Sequence, residues 1–138
     1  MQNKVSLLNK YWTDIYFYLH YPHKDKISHQ VIRILQFVEK KENVGVNDIA
    51  SYLQINHNTA SEHVKRIIDK DYLIKKRNEF DERKVLLCLT NSGKEVLHRN
   101  SSLDEEKLNQ ILNKMTENEK KIVEQAFQIL SERAKKCI

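Results

Sequence analysis

Apolar positions recur along most of this chain with the period of a helix. Leu8, Tyr11, Trp12, Ile15, Tyr16 and Leu19 fall three and four residues apart, with Tyr18 off the stripe, which predicts a helix from about Val5 to His20. Tyr21-Pro22-His23 interrupts it, because proline lacks an amide donor and disfavours helix in the residue before it. Val31, Ile34, Leu35 and Val38 predict a second helix from about Ile27 to Lys41. Val44-Gly45-Val46 reads as a short extended piece suited to pairing with a later strand. Two short helices follow at a tight angle. The first runs from Asn47 to Leu53, Gln54-Ile55-Asn56 is the corner, and the second runs from His57 to Lys70 with Ala60, Val64, Ile67 and Ile68 inward. Asn47 and Asn56 are the expected N-caps, as their side chains accept from free first-turn amides.

The pattern then changes. Lys75-Lys76-Arg77 leads through a polar tip to Asp81-Glu82-Arg83-Lys84, and Val85 to Leu89 is β-like, so a basic hairpin follows the helix pair. Beyond it Thr90 is expected to cap a long helix carrying Val96, Leu97, Leu103, Leu108, Ile111, Leu112 and Met115, with a bend near Asn100-Ser101-Ser102. Thr116-Glu117-Asn118-Glu119 matches a capping box and opens a last helix with Ile122, Val123, Ala126, Phe127, Leu130 and Ala134. The predicted class is mainly α: a winged helix-turn-helix at about 28–100 within a single domain of 1–138, flanked by apolar helices at about 5–20 and 101–136. A helix-turn-helix with a basic wing has one common use, the holding of duplex DNA.

Composition narrows this reading. Two glycines and one proline in 138 residues leave little room for turns or for phosphate-cradling loops, and neither a metal-ligand helix motif nor a nucleophile elbow is present, so an enzyme is not expected. No apolar run approaches the length of a membrane span, and the N-terminus is amphipathic rather than a signal core. Cys88 and Cys137 lie far apart in unlike contexts, which argues against a disulfide and fits a reducing cytoplasm. The net charge of +5 points to an anionic partner, but residues 44–100 carry ten Lys/Arg against eight Asp/Glu. Local placement of Lys75, Lys76 and Arg77 therefore says more than bulk charge. The terminal apolar stripes exceed what a winged unit needs, and packing against a second copy is the economical answer, covering their own monomer the alternative.

At this point the chain resembles the MarR family of transcriptional regulators. The likeness covers the order of all the elements, and its most specific part is Asp81-Glu82-Arg83 followed by Leu89-Thr90-Asn91-Ser92-Gly93, which matches D-x-R…L-T-x-x-G. Ile49-Ala50 and the passage from Ile67 to Leu73 match the family's motif helices. The resemblance implies a homodimeric regulator, a repressor in the first instance, on a pseudo-palindromic operator. It assigns Arg83 to a minor groove, and Asp81 is suitably placed to hold that arginine in a fixed pose. On the second motif helix His57, Asn58, Thr59, Ser61 and Glu62 are candidates for base edges, with Lys65 and Arg66 for phosphates. Lys75, Lys76, Arg77 and Lys84 complete the expected DNA surface. Three departures stand out: Asp71 where glycine is usual, the negative Glu62 on the reading helix, and a short wing tip, Arg77-Asn78-Glu79-Phe80, without the usual proline.

The resemblance also implies a small-molecule effector site, for which Tyr11, Trp12, Tyr16 and His29, with Tyr18 and His20, are the lining candidates; as dimer core these aromatics have a plainer use. Thiol sensing is not expected, since no cysteine lies near the N-terminal tyrosines. His20, His23 and His29 with Asp25 make a metal-responsive regulator one alternative, but across a proline-broken loop their spacing is loose, so no metal or cofactor is assigned. A protein-binding adaptor built on the same fold is the other alternative, opposed by the wing cations.

Overall fold

Polar side chains mark where most of the helices begin. The computed structural model describes residues 3–22, 25–81 and 83–137; His23 of the histidine group and Glu82 of the wing signature lie outside the described residues. Helix α1 spans Lys4–Leu19. Helix α2 spans His29–Lys40, with Ser28 Oγ accepting from the amide of Val31. Helix α3 spans Val46–Leu53 and departs from expectation: Asn47 is not its cap. The helix starts one residue earlier, at Val46, behind Gly45 as its N-cap, whose amide donates to Asp48 Oδ2 at 2.8 Å. Helix α4 spans His57–Asp69 and is capped as expected, with Asn56 Oδ1 accepting from Thr59 at 2.8 Å.

Strands β1 (Leu73–Arg77) and β2 (Val85–Leu89) pair antiparallel, Leu73 opposite Leu89 and Arg77 opposite Val85. The sheet has these two strands, and Val44 is not a third: it accepts one hydrogen bond from Leu87 at 2.8 Å before the chain turns into α3. The expected long helix after the wing is two helices. Helix α5 spans Asn91–Ser101 and ends at Ser102; helix α6 spans Glu105–Asn113, and Asp104 caps it by accepting from Glu106 and Lys107. A carboxylate at a helix start satisfies free amides and opposes the positive end of the dipole, so Asp104 favours a fresh start over a bend. Helix α7 spans Glu117–Cys137 behind the expected capping box, Thr116 and Glu119 bonding reciprocally at 3.0 and 3.1 Å.

Two compact units emerge: residues 20–102, and residues 1–19 together with 103–138. The first has a closed core. Ile34 and Leu35 of α2, Ile49 of α3, Val64 and Ile67 of α4, Leu73 of β1 and Val96 and Leu97 of α5 are almost wholly buried. Burying each such side chain contributes roughly 1.5–3 kcal/mol, which fixes the reading helix against the base of the wing. In the second unit Leu19 is buried, whereas α6 and α7 bury no residue fully.

Candidate nucleic-acid interface

The loop after α4 decides how the wing departs. Asp71 takes the left-handed conformation at φ 66°, which aspartate tolerates better than most residues, so the turn survives the loss of glycine. The L-T-x-x-G stretch then locks that turn. Thr90 Oγ1 donates to the carbonyl of Asp71 and accepts from the amide of Gly93 at 2.9 Å, while the Thr90 amide donates to Tyr72 O at 3.1 Å. A Cβ on Gly93 would lie 2.1 Å from the Tyr72 carbonyl oxygen, so a side chain cannot fit there. The signature is thus a clamp between the start of α5 and the end of the reading helix.

Ala60, Val64 and Ile67 face the core along α4, leaving His57, Asn58, Glu62, Lys65 and Arg66 exposed and Thr59 and Ser61 half-buried. His57 is tethered rather than loose, with Nδ1 2.6 Å from Asn47 Oδ1. An amide oxygen only accepts, so with Asn47 in this orientation the proton sits on Nδ1 and a neutral His57 presents Nε2 as an acceptor. The Asn47 side chain therefore joins α3 to α4 instead of capping α3.

Across from α4, Lys75, Lys76, Arg77, Arg83 and Lys84 are all exposed. Arg83 is 96% exposed, and Asp81 Oδ1 accepts from its backbone amide at 3.1 Å. The guanidinium Nε is 3.6 Å from the same oxygen, an ion pair rather than a hydrogen bond, so the expected aiming contact is present in a loose form. Between α4 and β1 lies an open groove of about 520 Å³ lined by Ser61, Lys65, Ile68, Ile74 and Lys75. The periodicity marked Ile68 as inward and carried no sign that it and Ile74 would floor a groove between two lysines.

Among the described residues His20, Asp25 and His29 form no ligand group. Asp25 instead accepts from Arg99 Nε at 3.0 Å and Nη2 at 3.2 Å and from Asn100 at 3.3 Å, and this bonding raises the Arg99 pKa. Tyr21 Oη lies 2.9 Å from His98 Nε2. Among the described residues no group of three or more potential ligands is placed to hold a metal. The second unit has an apolar cleft of about 340 Å³ whose lining includes Ile15, Tyr18, Leu19, Leu112, Met115 and Phe127, with Asp14 its charged member. Tyr11, Trp12 and Tyr16 are not among its lining residues.

The family model described as transcriptional regulator SarA/Rot matches residues 17–100, nearly the whole of the winged unit. The chain belongs to the SarA/Rot family of transcriptional regulators. Membership makes it a DNA-binding transcriptional regulator. The chain is 25% identical over 112 residues to the HTH-type transcriptional regulator BilQ of Clostridium symbiosum, spanning 81% of this chain and 76% of BilQ. Among solved structures, a MarR-like regulator from Thermotoga maritima superposes with a TM-score of 0.65 at 18% identity, covering 98% of this chain and 99% of that one. MepR of Staphylococcus aureus bound to ethidium bromide gives 0.61 at 16% identity, covering 96% and 97%. FabT of Streptococcus pneumoniae in complex with DNA gives 0.59 at 20%, covering 98% and 100%. These likenesses establish the MarR-type winged-helix fold for this SarA/Rot member. No helix among its described residues is long and apolar enough to cross a membrane.

Proposed function

We propose that this regulator binds a pseudo-palindromic operator as a homodimer and represses from it. Helix α4 enters the major groove with Asn58 and Thr59 reading bases, His57, Ser61 and Glu62 beside them, and Lys65 and Arg66 on phosphates. Arg83, steadied by Asp81, enters the minor groove, and Lys75, Lys76, Arg77 and Lys84 contact the backbone. The observation that carries this reading is the exposed polar face of α4 beside a hairpin with five exposed cations, above a core that closes without either. The second copy answers the uncovered apolar residues of the terminal helices, among them Trp12, Phe17, Ile129 and Leu130. The apolar cleft of the terminal unit is of a size for a compact aromatic effector whose entry releases DNA; MepR, of the same fold, has been solved with ethidium.

Binding of wild type, Arg83→Ala and Asn58→Ala to a selected operator and a scrambled duplex across a salt series tests the assignment. Arg83→Ala weakens both duplexes and flattens the salt dependence, because fewer counterions are released. Asn58→Ala loses roughly 1–3 kcal/mol on the preferred sequence alone. An Arg83→Ala protein that binds both duplexes like wild type removes the wing from DNA and favours a protein-binding adaptor.

A further inference from the structure

The end of the wing carries a feature that the arginine does not account for. Phe80 is 97% exposed, the highest value among the exposed large apolar residues, the next being Tyr18 at 70%. The backbone that presents it is bonded. The Phe80 amide donates to Asn78 Oδ1 at 2.8 Å, Asn78 N donates to Lys84 O at 3.0 Å, and Lys84 N donates to Asp81 O at 3.0 Å. A ring held in water on a closed loop gains from any apolar surface that comes to meet it.

The charges around the ring narrow what that surface is. Lys75, Lys76, Arg77 and Lys84 line the stem of the hairpin, which matches a polyanion. The tip itself is not basic, since Glu79, Asp81 and Glu82 surround Phe80 and Arg83 in sequence. Phosphate attraction therefore holds the stem and not the tip, and favourable contact at the tip falls to Arg83 and the ring. On duplex DNA the apolar surface within reach of a wing is the face of a base pair, exposed when a step unstacks in the minor groove. Pyrimidine–purine steps unstack most readily.

We propose that Phe80 is a wedge: its ring enters the minor groove beside Arg83, parts a pyrimidine–purine step in each half-site and bends the operator. This rests on the reading of the hairpin as a DNA contact, and the test separates the two.

The full-length protein is added to a duplex recovered by selection from random sequence, with a dye pair at its ends and a fluorescent adenine analogue, bright when unstacked, at the candidate step. Wild type shortens the end-to-end distance and brightens the analogue. Phe80→Ala, at a position too exposed to disturb folding, still binds within about tenfold and with the same salt dependence, but loses both signals. Phe80→Leu, still apolar, keeps most of each. Equal bending by wild type and Phe80→Ala, or a straight duplex under wild type, overturns the wedge and leaves the ring for a protein partner. Loss of affinity in Arg83→Ala alongside either result shows that the wing still contacts DNA; unchanged affinity in Arg83→Ala fails the underlying reading instead.

Discussion

The winged unit and the terminal unit are built from the same kind of amphipathic helix, yet one buries its stripes and the other does not. Among the described residues, thirteen apolar side chains form the core within residues 20–102, drawn from α2, α3, α4, α5, both strands and Val44 of the link before α3. In the terminal unit Leu19 is buried, whereas Ile122, Phe127, Ile129 and Leu130 of α7 remain exposed. Short elements that cross each other tightly enclose their own apolar faces. A helix of 21 residues presents a long stripe that two other helices of its own chain, α1 and α6, leave largely in water. An amphipathic pattern therefore states that a face will be covered without stating by what.

The sharpest way to break this contrast is to charge the uncovered stripe. Phe127→Glu with Leu130→Glu should convert dimer to monomer at micromolar concentration by analytical ultracentrifugation, because a carboxylate buried without a partner is costly. Helical circular dichroism of the winged unit should persist. A wild type already monomeric under those conditions removes the contrast, since the stripe is then stable in water.

A smaller effect comes from the closed core. Leu35→Ala should lower the stability of the winged unit by about 2–5 kcal/mol in chemical denaturation, through lost burial and the cavity left behind. Leu130→Ala should leave monomer stability nearly unchanged and raise the dimer dissociation constant. Equal costs for the two substitutions, measured on monomer, would mean that α7 belongs to a core of its own.

The smallest effect tests whether local signals act alike in both units. Asn56→Ala, which removes the acceptor for Thr59 N, should cost about 1 kcal/mol of winged-unit stability. Thr116→Ala should cost α7 a similar amount. With a second copy covering α7, as proposed above, that loss should register in dimer dissociation and hardly at all in monomer unfolding.

The caps show how far short-range reading reaches. Asn56, Thr90 and the Thr116–Glu119 box act where their spacing places them, since each bonds within three residues of itself. Asn47 has the right chemistry and a different job, because the bond from Leu87 to Val44 holds the chain just before it and α3 begins one residue early. The break between α5 and α6 was legible in Asp104 but hidden by apolar residues that kept helical spacing across it. The partner of Asp25, one residue of the histidine–carboxylate alternative to which no metal is assigned, lay beyond such short-range reading, since Asp25 meets Arg99 from 74 residues away.

What the sequence by itself determined is the order of the elements apart from the strand expected at 44–46 and the break between α5 and α6, the basic wing, and the residues of the signature that closes it. Those features show in helical spacing, capping chemistry and charge, each of which is read within a window of a few residues. Only the tertiary structure decided that Gly93 must lie against the Tyr72 carbonyl, that His57 is tied to Asn47, that Ile68 and Ile74 floor one groove, and that Phe80 stands in water. Each of these depends on how segments distant along the chain approach one another. Periodicity says that a face is apolar; the geometry of approach decides which atoms meet it.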